Sequence, residues 1–249
     1  MKNALMVWGG WSGHTPEEAT TLIAAQLKTR GFTVTISDTL DAYLDADAMQ
    51  AYDLIVQCVT MAEITPEQCA GLIEAVKSGT GFAGWHGGII DSFRNQTEYH
   101  WMTGGQWVAH PGNLIPSQTV NIAEPDHEIT KGLSDFELTN TEQYYIHYDP
   151  AVHVLCTTTF SGEHGDATLY PAGTVMPYAW TRQFGAGRVF VACWGHTDSD
   201  FTDEFVDGIV DRLLVSVILP IVVMALATSA FGNEIEDRTL NVLILKPIS

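Results

Sequence analysis

Basic side chains are scarce in this sequence, which has 11 lysines and arginines against 30 acidic residues among 249, for a formal net charge of −19. A surface of that sign repels nucleic-acid phosphates and anionic lipid headgroups. Nucleic acid is therefore excluded as an expected partner. The excess of acidic residues is typical of a solvated surface that keeps a protein soluble.

Cysteine is also rare, and its four copies form no CxxC pair. The pattern predicts reduced core residues and no disulfide framework, and the residues concerned are Cys58, Cys69, Cys156 and Cys193. The N-terminal apolar run is too short for a signal peptide and passes directly into Gly9 and Gly10. We therefore expect a first strand and a cytoplasmic protein.

Two common cofactor motifs are missing as well. No GxGxxG follows the first predicted strand, so no nicotinamide cofactor bound in the Rossmann manner is expected. No HExxH is present, so the spacing of the histidines does not by itself identify a zinc site.

The first ninety residues alternate between strand-like and helix-like segments. Apolar runs predict strands over residues 4–8, 32–36, 52–59 and 81–85. Thr15 and Thr65 are each followed by a proline and an acidic residue, a pattern that predicts the start of a helix with the threonine as N-cap. Further strands are predicted over residues 117–122, 153–159, 177–181 and 188–193, and a closing helix over 202–214. The order predicts a flavodoxin-like α/β fold, a three-layer sandwich with a mostly parallel sheet.

Histidines follow several of these strands. Ligands of parallel sheets bind outside the carboxyl ends of the strands, where the loops that carry His14, Met61 and His86 should lie. His196 follows the strand over residues 188–193 and should reach the same edge. The sequence therefore predicts a common pocket for His14, His86 and His196, although each histidine alone is equally compatible with a structural, hydrogen-bonded role.

Six short stretches occur in one order along the chain: WGGWSGHTPEE at 8–18, GWHGG at 84–88, GGQWVAHPG at 104–112, HEITKGLSDF at 127–136, TEQYY at 141–145 and MPYAWTRQFGAGRVFVACWGHT at 176–197. Together they resemble the ThuA-like family of trehalose utilisation. That family shares the fold of class I glutamine amidotransferase domains. The resemblance covers residues 1–212 and implies one domain there.

The resemblance places His86 at the strand-to-helix turn where the amidotransferase relatives carry a cysteine nucleophile. Because the thiol is absent, glutaminase chemistry is not implied. We expect an exposed imidazole at this turn, beside Gly87 and Gly88, whose small size would let a ligand approach the backbone. Such a residue suits a general base or a metal ligand. Its replacement by alanine is expected to change stability by no more than about 1 kcal/mol.

The function implied is that of an enzyme acting on a disaccharide or keto-sugar. His86 and His196 would transfer protons with the help of Glu142, or a divalent metal such as zinc would assist. These residues do not distinguish between hydrolysis, elimination and isomerisation of the sugar. The residues expected to contact the sugar are Trp11, His14, Gly87, Gly88, Trp107, His110 and Tyr144. The alternative is a non-catalytic sugar-binding or regulatory module. The sequence does not decide whether the protein forms homo-oligomers.

Five tryptophans lie in or near the same motifs. Flat aromatic faces pack well on sugar rings, but burial in the core explains large aromatic residues equally well. These tryptophans are Trp8, Trp11, Trp85, Trp101 and Trp107.

The composition changes near residue 213. Residues 213–231 carry no charge, and a bilayer-spanning helix needs roughly 20 apolar residues. Residues 231–249 resemble a fragment of an ABC-2 type transporter permease. We expect a second region over 213–249 with an apolar helix, joined by gene fusion or by a faulty gene model, and a membrane location if that helix spans a bilayer. The alternative is a buried terminal helix of the domain.

Overall fold

The strands and helices of this protein are defined over residues 2–201, the part of the chain that the computed structural model describes. The strands are β1 (Lys2–Gly10), β2 (Phe32–Ser37), β3 (Leu54–Thr60), β4 (Gly81–Trp85), β5 (Gly105–Ala109), β6 (Leu114–Ile122), β7 (Phe136–Glu142), β8 (Tyr145–Tyr148), β9 (His153–Thr159), β10 (Val175–Phe184) and β11 (Gly187–Ala192). The helices are α1 (Pro16–Thr29), α2 (Ala46–Gln50), α3 (Pro66–Ser78), α4 (Gly87–Ile90) and α5 (Thr97–Thr103).

Nine of these strands form one mixed sheet in the order β2-β1-β3-β4-β11-β10-β9-β6-β7. The first five strands of that order run parallel. The remaining strands continue the sheet with antiparallel pairs. The parallel half agrees with the predicted α/β architecture, and the antiparallel half makes the sheet mixed as a whole.

Apolar composition explains the position of the parallel strands. Every residue of β3 and of β4 is buried, as expected for parallel strands covered on both faces. Helix α1 packs against β1 and β2, and Ala19, Ile23 and Leu27 are buried at helical spacing on its inner face. The core therefore lies along the parallel half of the sheet.

Both helices begin directly after the predicted N-cap threonine, but only one of the two threonines caps its helix with its side chain. The Thr65 side chain accepts a hydrogen bond from the backbone N–H of Gln68, and the Gln68 side chain completes the capping box. Thr15 instead adopts a left-handed conformation, with φ 43°, and makes no side-chain cap. Its hydroxyl accepts a hydrogen bond of 2.8 Å from the backbone N–H of Asp198, and so ties α1 to the loop after β11.

The predictions for the C-terminal segment lie outside the described residues. They concern the closing helix over 202–214, the apolar helix over 213–231 and the permease-like tail up to residue 249. Within residues 2–201, no helix combines the length and apolar character needed to cross a bilayer.

A buried polar network fixes α4 against the sheet. Gln57 on β3 is fully buried, and its side-chain amide donates hydrogen bonds to the Tyr99 hydroxyl at 2.7 Å and to the Gly88 carbonyl at 3.1 Å. The Tyr99 hydroxyl donates to the Ile89 carbonyl at 2.8 Å, and the Tyr43 hydroxyl donates to Gln57 at 3.0 Å. Such a network holds its members in one arrangement because each unpaired buried group would be costly.

Replacing Tyr99 with phenylalanine is expected to destabilise the protein by about 1–3 kcal/mol, because the Ile89 carbonyl loses its donor and Gln57 loses an acceptor in a buried site. Equilibrium urea unfolding measures the change. Tyr148→Phe is the control, since that side chain is 45% exposed. Equal stability of the two variants would show that the network contributes nothing measurable.

Candidate functional site

Four polar side chains converge at one edge of the sheet. His14, His86, Glu142 and His196 each present one potential ligand atom, and these atoms all lie within 4.8 Å of one another. His14 follows β1, His86 follows β4 and His196 follows β11, so three parallel strands deliver the imidazoles to their common carboxyl edge. The structure thus brings together the three histidines for which the sequence predicts one pocket. We call these four residues the histidine cluster.

His86 occupies a sharp turn between β4 and α4. Its backbone has a positive φ of 49°, which non-glycine residues rarely adopt, and its N–H donates to the Ala192 carbonyl at 2.7 Å. The imidazole Nδ1 lies 2.8 Å from the Cys193 carbonyl oxygen, and the ring stacks on Tyr144 with centroids 4.0 Å apart. The expectation of an exposed imidazole is wrong, since His86 is only 1% exposed.

Gly87 and Gly88 allow the turn to pack tightly. A Cβ atom at Gly87 would lie 2.7 Å from the His14 ring, and one at Gly88 would lie 2.7 Å from the Cys58 Cα atom. Both glycines are buried. Their lack of a side chain therefore lets the His14 ring and strand β3 pack closely against the turn.

Glu142 ends β7 and supplies the only carboxylate of the histidine cluster. Its backbone carbonyl accepts hydrogen bonds from Gln118 at 2.9 Å and from the Tyr178 hydroxyl at 3.1 Å. Its Oε2 atom lies 3.0 Å from His86 Nε2, 3.5 Å from His196 Nδ1 and 3.9 Å from His14 Nε2. These distances make Glu142 the point at which all three imidazoles meet.

Burial controls the protonation of the histidine cluster. Burial lowers the pKa of His14 to about 3, helped by the proximity of His86 and His196. Burial also lowers the pKa of His86, against its hydrogen bond with Glu142. For Glu142 burial favours a raised pKa, but hydrogen bonds with His196 and His86 outweigh it and hold that pKa below its usual range. We assign a neutral ring to His14 and a charged carboxylate to Glu142.

A second group of side chains borders the histidine cluster. The Trp107 and His110 rings lie 5.6 Å apart, and the Arg94 guanidinium lies 4.8 Å from the Trp107 ring centre. Asp91 holds Arg94 through two hydrogen bonds of 2.6 and 2.9 Å. Trp107 Nε1 and His110 Nδ1 are buried without a hydrogen-bond partner among the described residues.

The residues predicted to contact the sugar differ in how far their side chains are exposed. Trp11 is 46% exposed and meets the His14 ring edge-on at 4.7 Å, so its ring is available to a ligand. Tyr144 is 1% exposed and stacks on His86, so it supports that ring, and its contact with the sugar stays a prediction. Of the other tryptophans, Trp85 packs in the core on Phe201, and Trp101 is 60% exposed on α5.

Sequence reasoning missed several residues that hold the site. Thr60, at the end of β3, lies 2.9 Å from His14 Nδ1 through its hydroxyl. Asp200 accepts a hydrogen bond of 2.8 Å from the His196 backbone and another of 3.0 Å from Thr141. The spacing of Asp91 and Arg94, three residues apart just after His86, is the one signal that could have indicated their pairing.

Comparisons with known proteins agree on the family. The family model described as "ThuA: Trehalose utilisation" matches residues 3–212. A search of curated protein sequences finds no match.

Solved structures show the same fold at low sequence identity. A ThuA-like protein from Bacteroides uniformis is 16% identical, with a TM-score of 0.69 over 87% of this chain and 92% of that one. A cytoplasmic protein from Salmonella typhimurium LT2 is 12% identical, with a TM-score of 0.62 over 87% and 99%. A cold-adapted beta-galactosidase from Rahnella sp. R3 is 15% identical, with a TM-score of 0.56 over 86% of this chain and 31% of that enzyme. With the family model covering most of its length, the chain belongs to the ThuA family of trehalose utilisation.

Proposed function

We propose that this chain is an enzyme of carbohydrate metabolism that acts on a disaccharide or a keto-sugar at the histidine cluster. The observation that carries the proposal is the convergence of three imidazoles and one carboxylate, from four separate segments, at the carboxyl edge of the parallel strands. Buried titratable groups with shifted pKa values are typical of catalytic sites. The trehalose-utilisation family supplies the substrate class.

Glutamine amide hydrolysis does not fit these residues. The turn after β4 carries His86 in place of a thiol, and all four cysteines of the chain are buried. Burial raises the pKa of Cys58, the cysteine beneath Gly88, to about 12. A thiolate nucleophile is therefore not available near the site.

The groups around the histidine cluster suit a polyhydroxylated ligand. The exposed Trp11 ring offers a flat face on which the C–H surface of a sugar ring packs. Trp107 Nε1 and His110 Nδ1 are buried without a hydrogen-bond partner among the described residues, although His110 Nδ1 lies 3.8 Å from Glu142 Oε1. A sugar that displaces the side chains covering these atoms would supply hydroxyls to them. Arg94 adds a fixed positive charge beside Trp107 in an otherwise acidic protein.

Proton transfer at this site would centre on Glu142 and His196. Glu142 is charged and faces all three imidazoles, so it is placed to stabilise an imidazole that takes up a proton. His196 is the most exposed member of the histidine cluster and is placed to contact the ligand. Hydrolysis, elimination and isomerisation of a sugar each require such an acid and base pair.

Turnover of a panel of disaccharides and their keto derivatives tests the proposal. The purified chain is incubated with trehalose, other disaccharides and keto-sugars, and the products are identified by mass spectrometry and NMR. A product that forms with the wild type is expected for at least one sugar. Saturable sugar binding without any product would contradict the enzyme proposal and favour a binding module.

Replacing Trp107 with phenylalanine is expected to raise KM for that sugar by about 2–10-fold and to change kcat little, because the indole N–H available to the ligand is lost and the smaller ring contacts Arg94 less closely. Steady-state kinetics measures both constants. Trp101→Phe on α5 is the control, since Trp101 is exposed and outside the site. An unchanged KM would remove Trp107 from the sugar-binding residues.

A further inference from the structure

The atoms at the centre of the histidine cluster are all electron-pair donors. His14 and His86 present Nε2, His196 presents Nδ1 and Glu142 presents Oε2. Each imidazole reaches the centre from a different loop, so the arrangement does not follow from one local motif. Imidazole nitrogen with carboxylate oxygen is a donor set that suits first-row transition metals.

The spacing of these atoms matches the coordination shell of a small ion. Bonds of about 2.0–2.1 Å place neighbouring ligands about 3.0–3.4 Å apart, depending on the coordination number. The observed separations are 3.0 Å from His86 to Glu142, 3.4 Å from His86 to His196, 3.5 Å from His196 to Glu142 and 3.9 Å from His14 to Glu142. The remaining pairs involve His14, and all four atoms lie within 4.8 Å of one another, so the His14 ring has to move toward the other three atoms when a metal binds.

Hydrogen bonding alone leaves the centre with a conflict. The Cys193 carbonyl can only accept, so His86 Nδ1 carries the hydrogen, and a neutral ring then directs the lone pair of Nε2 at the Glu142 carboxylate 3.0 Å away. A cation between the four atoms removes the conflict.

The outer partners of the imidazoles fix the orientation that a metal requires. His86 Nδ1 donates to the Cys193 carbonyl, and His14 Nδ1 can donate to the Thr60 hydroxyl at 2.9 Å. Both contacts direct Nε2 toward the centre. Metal-bound histidines typically hold their second nitrogen in this way.

We propose that His14, His86, His196 and Glu142 bind one divalent first-row transition-metal ion of the Zn²⁺ class. Three of these side chains are buried and His196 is only partly covered, so the site opens on the side of His196. A further ligand would enter there, and an oxygen of the sugar is a suitable donor. The substrate part of this inference rests on the proposed function, whereas the metal site stands on the four side chains alone. When bound, the ion would act as a Lewis acid toward that oxygen.

Metal binding by the full-length chain, purified without a polyhistidine tag, tests the inference. The protein is stripped with a chelator and dialysed, and isothermal titration with Zn²⁺, Co²⁺ and Mn²⁺ measures stoichiometry and Kd. One ion per chain is expected. His196→Ala and Glu142→Gln should each raise Kd at least about 10-fold, since both remove a ligand atom. Glu137→Gln, an exposed carboxylate on the same strand as Glu142, should leave Kd unchanged.

A second measurement uses the wild type alone, so its result does not depend on whether the variants fold. With Co²⁺ bound, the N–H protons of coordinated imidazoles should give strongly shifted NMR signals that disappear on chelation. Absence of stoichiometric binding, absence of these signals, or equal Kd values for the folded variants and the wild type would overturn the metal site.

The outcomes also separate the metal site from the enzyme proposal. Sugar turnover that persists in the chelated, metal-free protein would overturn the role of the metal in the reaction and leave an acid and base mechanism. Stoichiometric metal binding without turnover of any sugar would support the site and contradict the enzyme.

Discussion

Replacing Glu142 with glutamine is expected to lower kcat on the sugar substrate by at least about 100-fold, the scale on which a general acid or base contributes. Glutamine has nearly the same shape, and the hydrogen bonds from Gln118 and Tyr178 go to the backbone carbonyl, so they remain. What is lost is the negative charge that all three imidazoles face. The loss should therefore appear in kcat and not in the fold.

Steady-state kinetics together with urea unfolding checks this expectation. Glu137→Gln is the matched control, because it makes the same change on the exposed part of β7. If Glu142→Gln retains more than about a tenth of the wild-type kcat, Glu142 does not act in the reaction.

Replacing His86 with alanine is expected to abolish turnover and also to lower the free energy of unfolding by about 2–4 kcal/mol, in the range of large-to-small substitutions in a core. The loss follows from removing a ring that is 1% exposed, that stacks on Tyr144 and that bonds the Cys193 carbonyl. This corrects the expectation from the sequence that stability would change by no more than about 1 kcal/mol.

Urea unfolding and the turnover assay are measured on the same preparation of this variant. His147→Ala, an exposed histidine on β8, is the control and should behave as the wild type in both. A His86→Ala protein of wild-type stability would mean that the turn after β4 does not depend on the imidazole. Wild-type turnover would exclude His86 from the site.

The sequence predicts the parallel half of the sheet well, and for a physical reason. Strands covered on both faces require continuous apolar runs, and β1, β3 and β4 have them. The connection between β2 and β3 was not predicted as helical, because α2 is only five residues long and begins with the local cap of Asp45. Short helices of this kind leave little periodicity to detect.

The antiparallel half is harder to read from the sequence. In β7 the residues before Thr141 and Glu142 are exposed or partly covered, so no apolar run marks the strand. Within residues 2–201, strands β5 and β8 pair only with each other, outside the main sheet, and the sequence does not predict them. Glu142 was therefore identified only through the family resemblance, whereas the three histidines also follow from their positions after strands.

Burial of His86 and Tyr144 could not be predicted from the pattern of residues either. It depends on the stacking of the two rings and on the contact of Gly87 with His14, which join segments far apart in the chain. The same holds for Thr15, whose hydroxyl is used by Asp198 from the other end of the domain and is not available as a cap. Tertiary contacts decide these positions.

The two halves of the sheet contribute differently to the histidine cluster: the imidazoles follow parallel strands, and the carboxylate comes from the antiparallel edge strand β7. Contacts from His86 span 56 residues to Glu142 and 110 residues to His196. Because pairings between distant segments form late in folding, the complete set of four exists only once both halves are joined. Any ligand held by all four side chains therefore stabilises the folded state in which the parallel and antiparallel parts of the sheet are joined. Its affinity depends on the folding of the whole sheet.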